Sequence, residues 1–318
     1  MSTHDGPGSR LVLFFQGCRL DCSWCHAPHS LPRTGPLLFF EALCISCGRC
    51  AEVCPKSVHR FSSGRHLLNR SDCTRCGTCI ESCPRSSPQK YSGALQLPTR
   101  QADAHALFRH IAPHLDLLKN VGGVTFSGGE PLLQYAELAT LARLCKEDGV
   151  HVALETSGIV SPQSISALKP YVDLWLVGMR LSTGTDTFDS DFLEAATRRT
   201  LDILCAPPRS SITVRIPAIL PISSDETYRT KAATILNDFS VSQVEILPQN
   251  PASTLFYDAM GITPAPQCRY DPDVAEAQYQ SLKDYFEQKC SQRKPYQRRI
   301  DHGKEIVTSD CRVAREPR

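Results

Sequence analysis

The chain has 318 residues, 41% of them hydrophobic, and a net charge of +2. That length suits one large α/β domain or two ordinary ones, and the near-neutral balance gives no case for nucleic acid or an anionic membrane surface as a partner. No run of about 18 apolar residues occurs, so no transmembrane helix is expected, and residues 1–8 lack the basic and apolar regions of a signal peptide. Sixteen cysteines are present, eleven of them before residue 84. In a chain whose remainder reads as a full α/β enzyme, this density points to metal clusters in a reducing cytoplasm rather than to a secreted disulfide framework.

Asp5-Gly6-Pro7-Gly8 comes first and predicts a tight, rigid turn where backbone can approach a ligand closely. Residues 11–15 form a short apolar run, as expected of a buried parallel strand. Gly17-Cys18-Arg19-Leu20-Asp21-Cys22-Ser23-Trp24-Cys25-His26 follows and spaces three cysteines as C-x3-C-x2-C. A zinc site or an electron-transfer cluster wants four protein ligands. Three thiolates on one loop suit instead an iron–sulfur cluster with one iron left open to a substrate or cofactor. The loop follows the first strand, so it belongs at a carboxyl end, where α/β folds bind ligands.

Residues 31–95 change texture, with little helical periodicity. Cys44, Cys47, Cys50 and Cys54 form a C-x2-C-x2-C-x3-C-P run, and Cys73, Cys76, Cys79 and Cys83 repeat it. A zinc ribbon would use two pairs of cysteines and would explain neither duplicated run. Gly48 and Gly77 allow backbone close to sulfide.

From residue 98 a regular alternation begins. Thr99 is expected to cap a helix carrying Ala104, Leu107, Phe108 and Ile111 on one face, with Pro113 limiting it. Strands are expected at residues 121–127, 151–154, 172–179, 213–220 and 244–248. Helices are expected at 132–148, 161–168, 190–204, 225–239 and 273–289. Alternation of this kind implies a parallel sheet with helical crossovers, and six strands favour a partial (β/α)6 barrel. Gly128-Gly129-Glu130-Pro131 and Glu155-Thr156-Ser157-Gly158 then fall at strand ends, and Arg215 falls mid-strand, where a buried guanidinium needs an anion.

These motifs, in this order, resemble the glycyl-radical-enzyme activating enzymes of the radical S-adenosylmethionine (SAM) superfamily. The flanks Gly-Ser-Arg-Leu and Leu-Phe-Phe-Gln-Gly-Cys look most like the YjjW-type activases. The resemblance covers residues 4–160 strongly and residues 170–250 loosely. It implies a radical SAM barrel beginning in residues 1–30, a ferredoxin-like insert with two 4Fe–4S clusters at 31–95, the rest of the barrel at 96–292, and an irregular basic tail at 293–318. It implies an oxidoreductase that reductively cleaves SAM to a 5′-deoxyadenosyl radical and takes a hydrogen from a backbone glycine of a partner enzyme.

The resemblance also implies site residues. Cys18, Cys22 and Cys25 hold the SAM-cleaving cluster. Within the insert, Cys44, Cys47, Cys50 and Cys83 hold one cluster, and Cys73, Cys76, Cys79 and Cys54 the other. Trp24, Gly128, Gly129, Glu130, Pro131, Glu155, Arg180, Arg215 and Asn250 are the expected SAM contacts, with Glu155 also placed to hold a monovalent cation. Asp5, Gly6, Pro7 and Gly8 are expected to meet the protein substrate, apart from the SAM contacts. The implied cofactors are three 4Fe–4S clusters and SAM. The implied partners are a glycyl radical enzyme and a flavodoxin or ferredoxin as electron donor, for an anaerobic monomer.

Two positions depart from the family. Gly178-Met179-Arg180 stands where Asp-x-Lys is frequent, so Arg180 keeps the charge as a planar fork and the carboxylate is lost. Gln249-Asn250 stands where His is frequent, and Asn250 forms hydrogen bonds without titrating. Two other readings share the cluster motifs. One is a radical SAM enzyme acting on a small molecule or peptide, and the other is an electron-transfer module with a degenerate barrel. Cys145, Cys205, Cys268, Cys290 and Cys311 carry no motif.

Overall fold

The computed structural model describes residues 2–89, 91–182, 185, 187–219, 224–265, 270–291 and 312–313. Cys268, Cys311 and most of the expected tail lie outside them.

The chain opens with β1 (Ser9–Phe15) and then the cysteine loop. The next segment leaves and returns through one antiparallel pair, β2 (Leu38–Phe39) with β5 (Leu95–Gln96). Between them lie α1 (Arg49–Val53), the hairpin β3 (His59–Ser62) and β4 (Arg65–Leu68), and α2 (Thr78–Glu81). Both short helices begin on a glycine in the left-handed region, Gly48 at φ 80° and Gly77 at φ 87°. The duplicated cysteine runs therefore share one turn, and in each the third thiol, Cys50 or Cys79, is buried.

The rest alternates. It comprises α3 (Ala104–Asp116), β6 (Gly122–Gly128), α4 (Tyr135–Glu147), β7 (Val152–Thr156), α5 (Pro162–Leu168), β8 (Leu174–Gly178) and α6 (Ser190–Cys205). Then come β9 (Ser211–Pro217), α7 (Glu226–Asp238), β10 (Gln243–Leu247), α8 (Ser253–Met260), α9 (Pro272–Ser291) and the short strand β11 (Arg312–Val313). The sheet runs β1-β6-β7-β8-β9-β10-β11, and every neighbour pair is parallel.

The register sorts the side chains into two faces. Leu13, Phe126, Leu154, Trp175 and Ile212 lie on one row and join the main core with residues of α3 to α7 and α9. Helices thus cover one face, as in a barrel, and not both as in a doubly wound sheet. The opposite, inner face presents Ser127, Glu155, Gly178, Arg215 and Glu245.

Several expectations change. Asp103, not Thr99, caps α3, accepting from the Ala106 N–H at 2.8 Å. Pro113 lies inside α3, and the helix runs on to Asp116 because Ile111 and Leu115 anchor it in the core. The helix expected from residue 132 begins with a single 3-10 turn, Pro131–Gln134. The helix α8 was not anticipated. The tail, expected to be irregular, contributes Arg312–Val313 to the sheet beside Gln243–Val244.

Candidate active site at the carboxyl edge of the sheet

The base of the cysteine loop is held by backbone hydrogen bonds. Gly17 N–H donates to Ser30 O (2.8 Å), Cys18 N–H to Leu31 O (3.0 Å), and Glu130 N–H to Gly17 O (2.8 Å). The last bond explains the glycine pair. A Cβ on Gly129 would stand 2.3 Å from Gly17 O, and one on Gly128 2.3 Å from Phe15 N. Only glycines let the Gly128-Gly129-Glu130-Pro131 turn press against the loop at this distance. Asp21 accepts from the Thr185 and Thr187 hydroxyls, and the Tyr257 hydroxyl of α8 donates to Ser23 O at 3.2 Å.

Within the loop the three thiols lie close enough to interact. Burial pushes the Cys18 thiol up to about 11 and Cys22 to about 12, and it raises Cys25. The Arg180 guanidinium opposes all three shifts. A metal bound here would deprotonate them outright. No disulfide joins any described cysteine, so these thiols are available as ligands.

Arg180 stands over the Trp24 ring at 5.1 Å, and its Nη1 is buried with no hydrogen-bond partner among the described residues. A Cβ on Gly178 would come within 2.9 Å of that guanidinium. The missing Asp therefore makes room for the larger Arg fork. Trp24, expected to face a cofactor, is buried in the main core with one face covered by Arg180. Burial also pushes His26 down to about 4, with the Arg180 charge acting in the same direction.

The Glu130 side chain has partners within the chain. Its carboxylate is buried and accepts from Thr156 Oγ1 (2.9 Å), the Ser157 N–H (2.9 Å) and hydroxyl (2.7 Å), and the Leu132 N–H (3.2 Å). It latches the end of β6 to the end of β7. Burial lifts its pKa, though these donors pull the other way. Asn250 also has a local task. Its exposed side chain accepts from the Ala252 N–H at 2.9 Å in the turn just before α8.

On the inner face Arg215 is almost fully buried and gathers three carboxylates. Its Nε donates to Glu245 at 2.7 Å, its Nη1 lies 3.2 Å from Glu155 and 3.7 Å from Asp5, and Nη2 donates to His4 O. Glu155 also accepts from the Ser127 hydroxyl at 2.6 Å. The anion that Arg215 needs is thus supplied by the chain. Burial alone would raise the Glu155 pKa, but the Arg215 charge and Ser127 hold it below the ordinary carboxylate value. Glu245 goes the other way, raised first by burial despite Arg215. Asp5, expected to stand apart from the SAM-contact set, instead shares Arg215 with Glu155. The neighbouring glycines fit tightly: a Cβ on Gly8 would lie 2.0 Å from Val121 O. Pro7 O accepts from Arg10 at 3.1 Å. Alternation in Gln243-Val244-Glu245-Ile246 was the signal for the missed Glu245.

In the inserted segment two cavities form. Cys44, Cys47, Cys50 and Cys83 line one, and Cys54, Cys73, Cys76 and Cys79 line the other. Each takes three thiols from one run and the fourth from the other.

A family described as "4Fe-4S single cluster domain" matches residues 4–174, more than half of the chain. The choline trimethylamine-lyase activating enzyme of Oleidesulfovibrio alaskensis is 36% identical over 56% of this chain and 56% of its own length. The trans-4-hydroxy-L-proline dehydratase activating enzyme of Clostridioides difficile is 29% identical over 81% of this chain and 84% of its own. The (2S)-3-sulfopropanediol dehydratase activating enzyme of Klebsiella oxytoca is 28% identical over 90% of this chain and 91% of its own.

Proposed function

This chain belongs to the 4Fe-4S single cluster domain family, and from that premise we propose that it is a radical SAM activase whose substrate is a glycyl radical enzyme. The relatives are named as activating enzymes of such systems. The observation that carries the reading is the three-thiol loop at the carboxyl edge of a parallel sheet, beside the Arg180 guanidinium and pressed against the Gly-Gly turn. Three thiols leave one iron of a 4Fe–4S cluster without a protein ligand, as a SAM-binding cluster requires.

Cys18, Cys22 and Cys25 would hold that cluster. When bound, it supplies the electron that opens SAM to a 5′-deoxyadenosyl radical, which takes a hydrogen from the partner's backbone glycine. The chain's own groups bind and orient. Arg180 offers an unsatisfied buried donor for the carboxylate of SAM, and a planar fork suits a carboxylate. Gly128, Gly129 and Pro131 keep the turn thin enough for that group to lie beside the loop. Glu155 keeps its negative charge on the inner face, where an ammonium or a monovalent cation would be favoured. Asp5 reaches the same face through Arg215, so the Asp5–Gly8 turn couples the protein-substrate side to the cofactor side.

The insert would hold two further 4Fe–4S clusters as a ferredoxin-like module that receives electrons from a flavodoxin or ferredoxin. Its two four-thiol cavities support this, since they divide the cysteines as crossed ligation requires. The test is anaerobic reconstitution of the full chain followed by SAM and a low-potential reductant. 5′-Deoxyadenosine and a glycyl radical signal in a candidate partner are expected. Absence of 5′-deoxyadenosine with a full iron complement would overturn the reading.

A further inference from the structure

His59 and His66 belong to no motif, yet they sit between the two four-cysteine cavities. The hairpin explains why. Ser63 and Gly64 both have positive φ, the requirement of a two-residue type I′ turn. The resulting register pairs His59 with Leu68 and Phe61 with His66, which makes the two histidines diagonal neighbours on one face. Both are buried. The His66 ring stacks on Phe61 at 4.6 Å and meets Phe39 edge-on at 4.4 Å, so its orientation is set by packing. His59 lines the cavity of Cys54, Cys73, Cys76 and Cys79, and His66 lines the other.

His59 Nδ1 and His66 Nε2 are 2.9 Å apart, and His66 Nδ1 is 3.8 Å from Cys44 Sγ. A hydrogen bond between two ring nitrogens needs one N–H and one lone pair. Two neutral imidazoles so joined have one N–H left, at one end of the pair. On His59 Nε2 it would have no cysteine sulfur within hydrogen-bond distance among the described residues, whereas the His66 ring meets two, Cys44 at Nδ1 and Cys50 at Nε2, each at 3.8 Å. If it lies on His66 Nδ1 it points to Cys44 Sγ, and His59 Nε2 is left as a bare lone pair. His59 therefore donates to His66, and His66 donates to Cys44.

We propose that His66, held in one tautomer by His59, is an outer-sphere N–H donor to Cys44, and that it raises the reduction potential of the cluster on Cys44, Cys47, Cys50 and Cys83 alone. Hydrogen bonds to cluster sulfurs stabilise the reduced, more negative state. The histidine that lines the second cavity, His59, spends its N–H on His66 and has no thiol within hydrogen-bond distance among the described residues, so the pair makes the two halves of a duplicated module unequal. It gives the module a direction for electron flow. The inference rests on the two-cluster reading of the insert.

The experiment uses the full chain, anaerobically reconstituted, with Cys18, Cys22 and Cys25 intact. Redox titration followed by EPR should resolve the insert clusters. His66→Phe should lower one insert potential by about tenfold in the reduction equilibrium, 59 mV for one electron, and leave the other in place. His66→Asn, which keeps an N–H near the Nδ1 position, should restore most of it. In the unsubstituted protein labelled with 15N-histidine, pulsed EPR should show an imidazole coupling to one of the two reduced insert clusters, a readout that does not depend on any variant folding. Unchanged potentials in His66→Phe, or no histidine coupling in the labelled protein, would overturn the inference while leaving two clusters in place. Two missing clusters, or a mononuclear ion on Cys50, His59 and His66, would overturn both the inference and the reading beneath it.

Discussion

Glu130 shows how one residue's task depends on its neighbours' donors. A strand-end acid invites a reading as a cofactor ligand, but four donors from Leu132, Thr156 and Ser157 converge on its carboxylate. Glu130→Ala would leave those donors buried without an acceptor, and should cost about 2–4 kcal/mol in denaturant unfolding. Glu130→Gln should cost less, because the Thr156 and Ser157 hydroxyls can rotate to suit the amide, although its NH2 must then face either the Leu132 or the Ser157 N–H. The Arg215 cluster makes a pH prediction. Glu155 has a folded pKa below its ordinary value. Its stabilising contribution is therefore present above the unfolded value of about 4.3 and lost as pH falls through the folded one. Glu155→Gln should lower stability at neutral pH and flatten the decline on the acid side, read by urea unfolding against pH. Glu245 has a raised pKa, so Glu245→Gln should act in the opposite sense. Its contribution is present below the unfolded value and lost as pH rises through the folded one.

The loop and the Gly128–Gly129 turn form one unit. β1 ends in the cysteine loop, β6 ends in the turn, and the two strands are neighbours, so the turn must lie on the loop. The Glu130–Gly17 hydrogen bond then ties them. Gly129→Ala would set a methyl group 2.3 Å from Gly17 O, closer than atoms can pack, and the loop would have to move. The variant should lose the visible absorption and iron of the loop's cluster while keeping those of the insert. Retention of all three would show that the loop tolerates the shift. The helix α8 acts at the same scale from the other side. Its Tyr257 reaches Ser23 in the loop, while its Ala259 carbonyl accepts from Arg70 of the inserted segment at 2.6 Å. Hydrophobic periodicity over eight residues was too short to announce this helix, and nothing local in Ser253–Met260 points to a cysteine loop more than two hundred residues earlier.

On the proposed three-cluster reading, the inserted segment and the sheet should contribute separable chemistry. Cys22→Ala should abolish SAM cleavage yet keep about eight irons of about twelve. Cys76→Ala should keep the loop's cluster and some cleavage with an artificial reductant. Iron analysis with 5′-deoxyadenosine assay of both variants checks this, and complete loss of cleavage in Cys76→Ala with an intact loop cluster would mean that the insert does more than conduct electrons. Among the described residues no helix is long and apolar enough to cross a membrane.

The sequence alone determined the two duplicated cysteine runs and, between residues 98 and 248, the alternation of strands and helices. Spacing within a cysteine run is local, so thiols a few residues apart can meet in any fold that accepts the loop. The two-residue and 3.6-residue periods likewise report burial without reference to distant chain. What only the tertiary structure decided is which polar groups satisfy one another. Arg215 meets the carbonyl of His4, 211 residues away. Glu130 meets Thr156 and Ser157, and Asn250 turns to its own helix. A buried charge or donor takes whatever partner packing brings within hydrogen-bond reach. That depends on strand register and loop paths, and for this reason Asp5, Trp24, Glu130 and Asn250 have partners within the chain that spacing along the sequence does not announce.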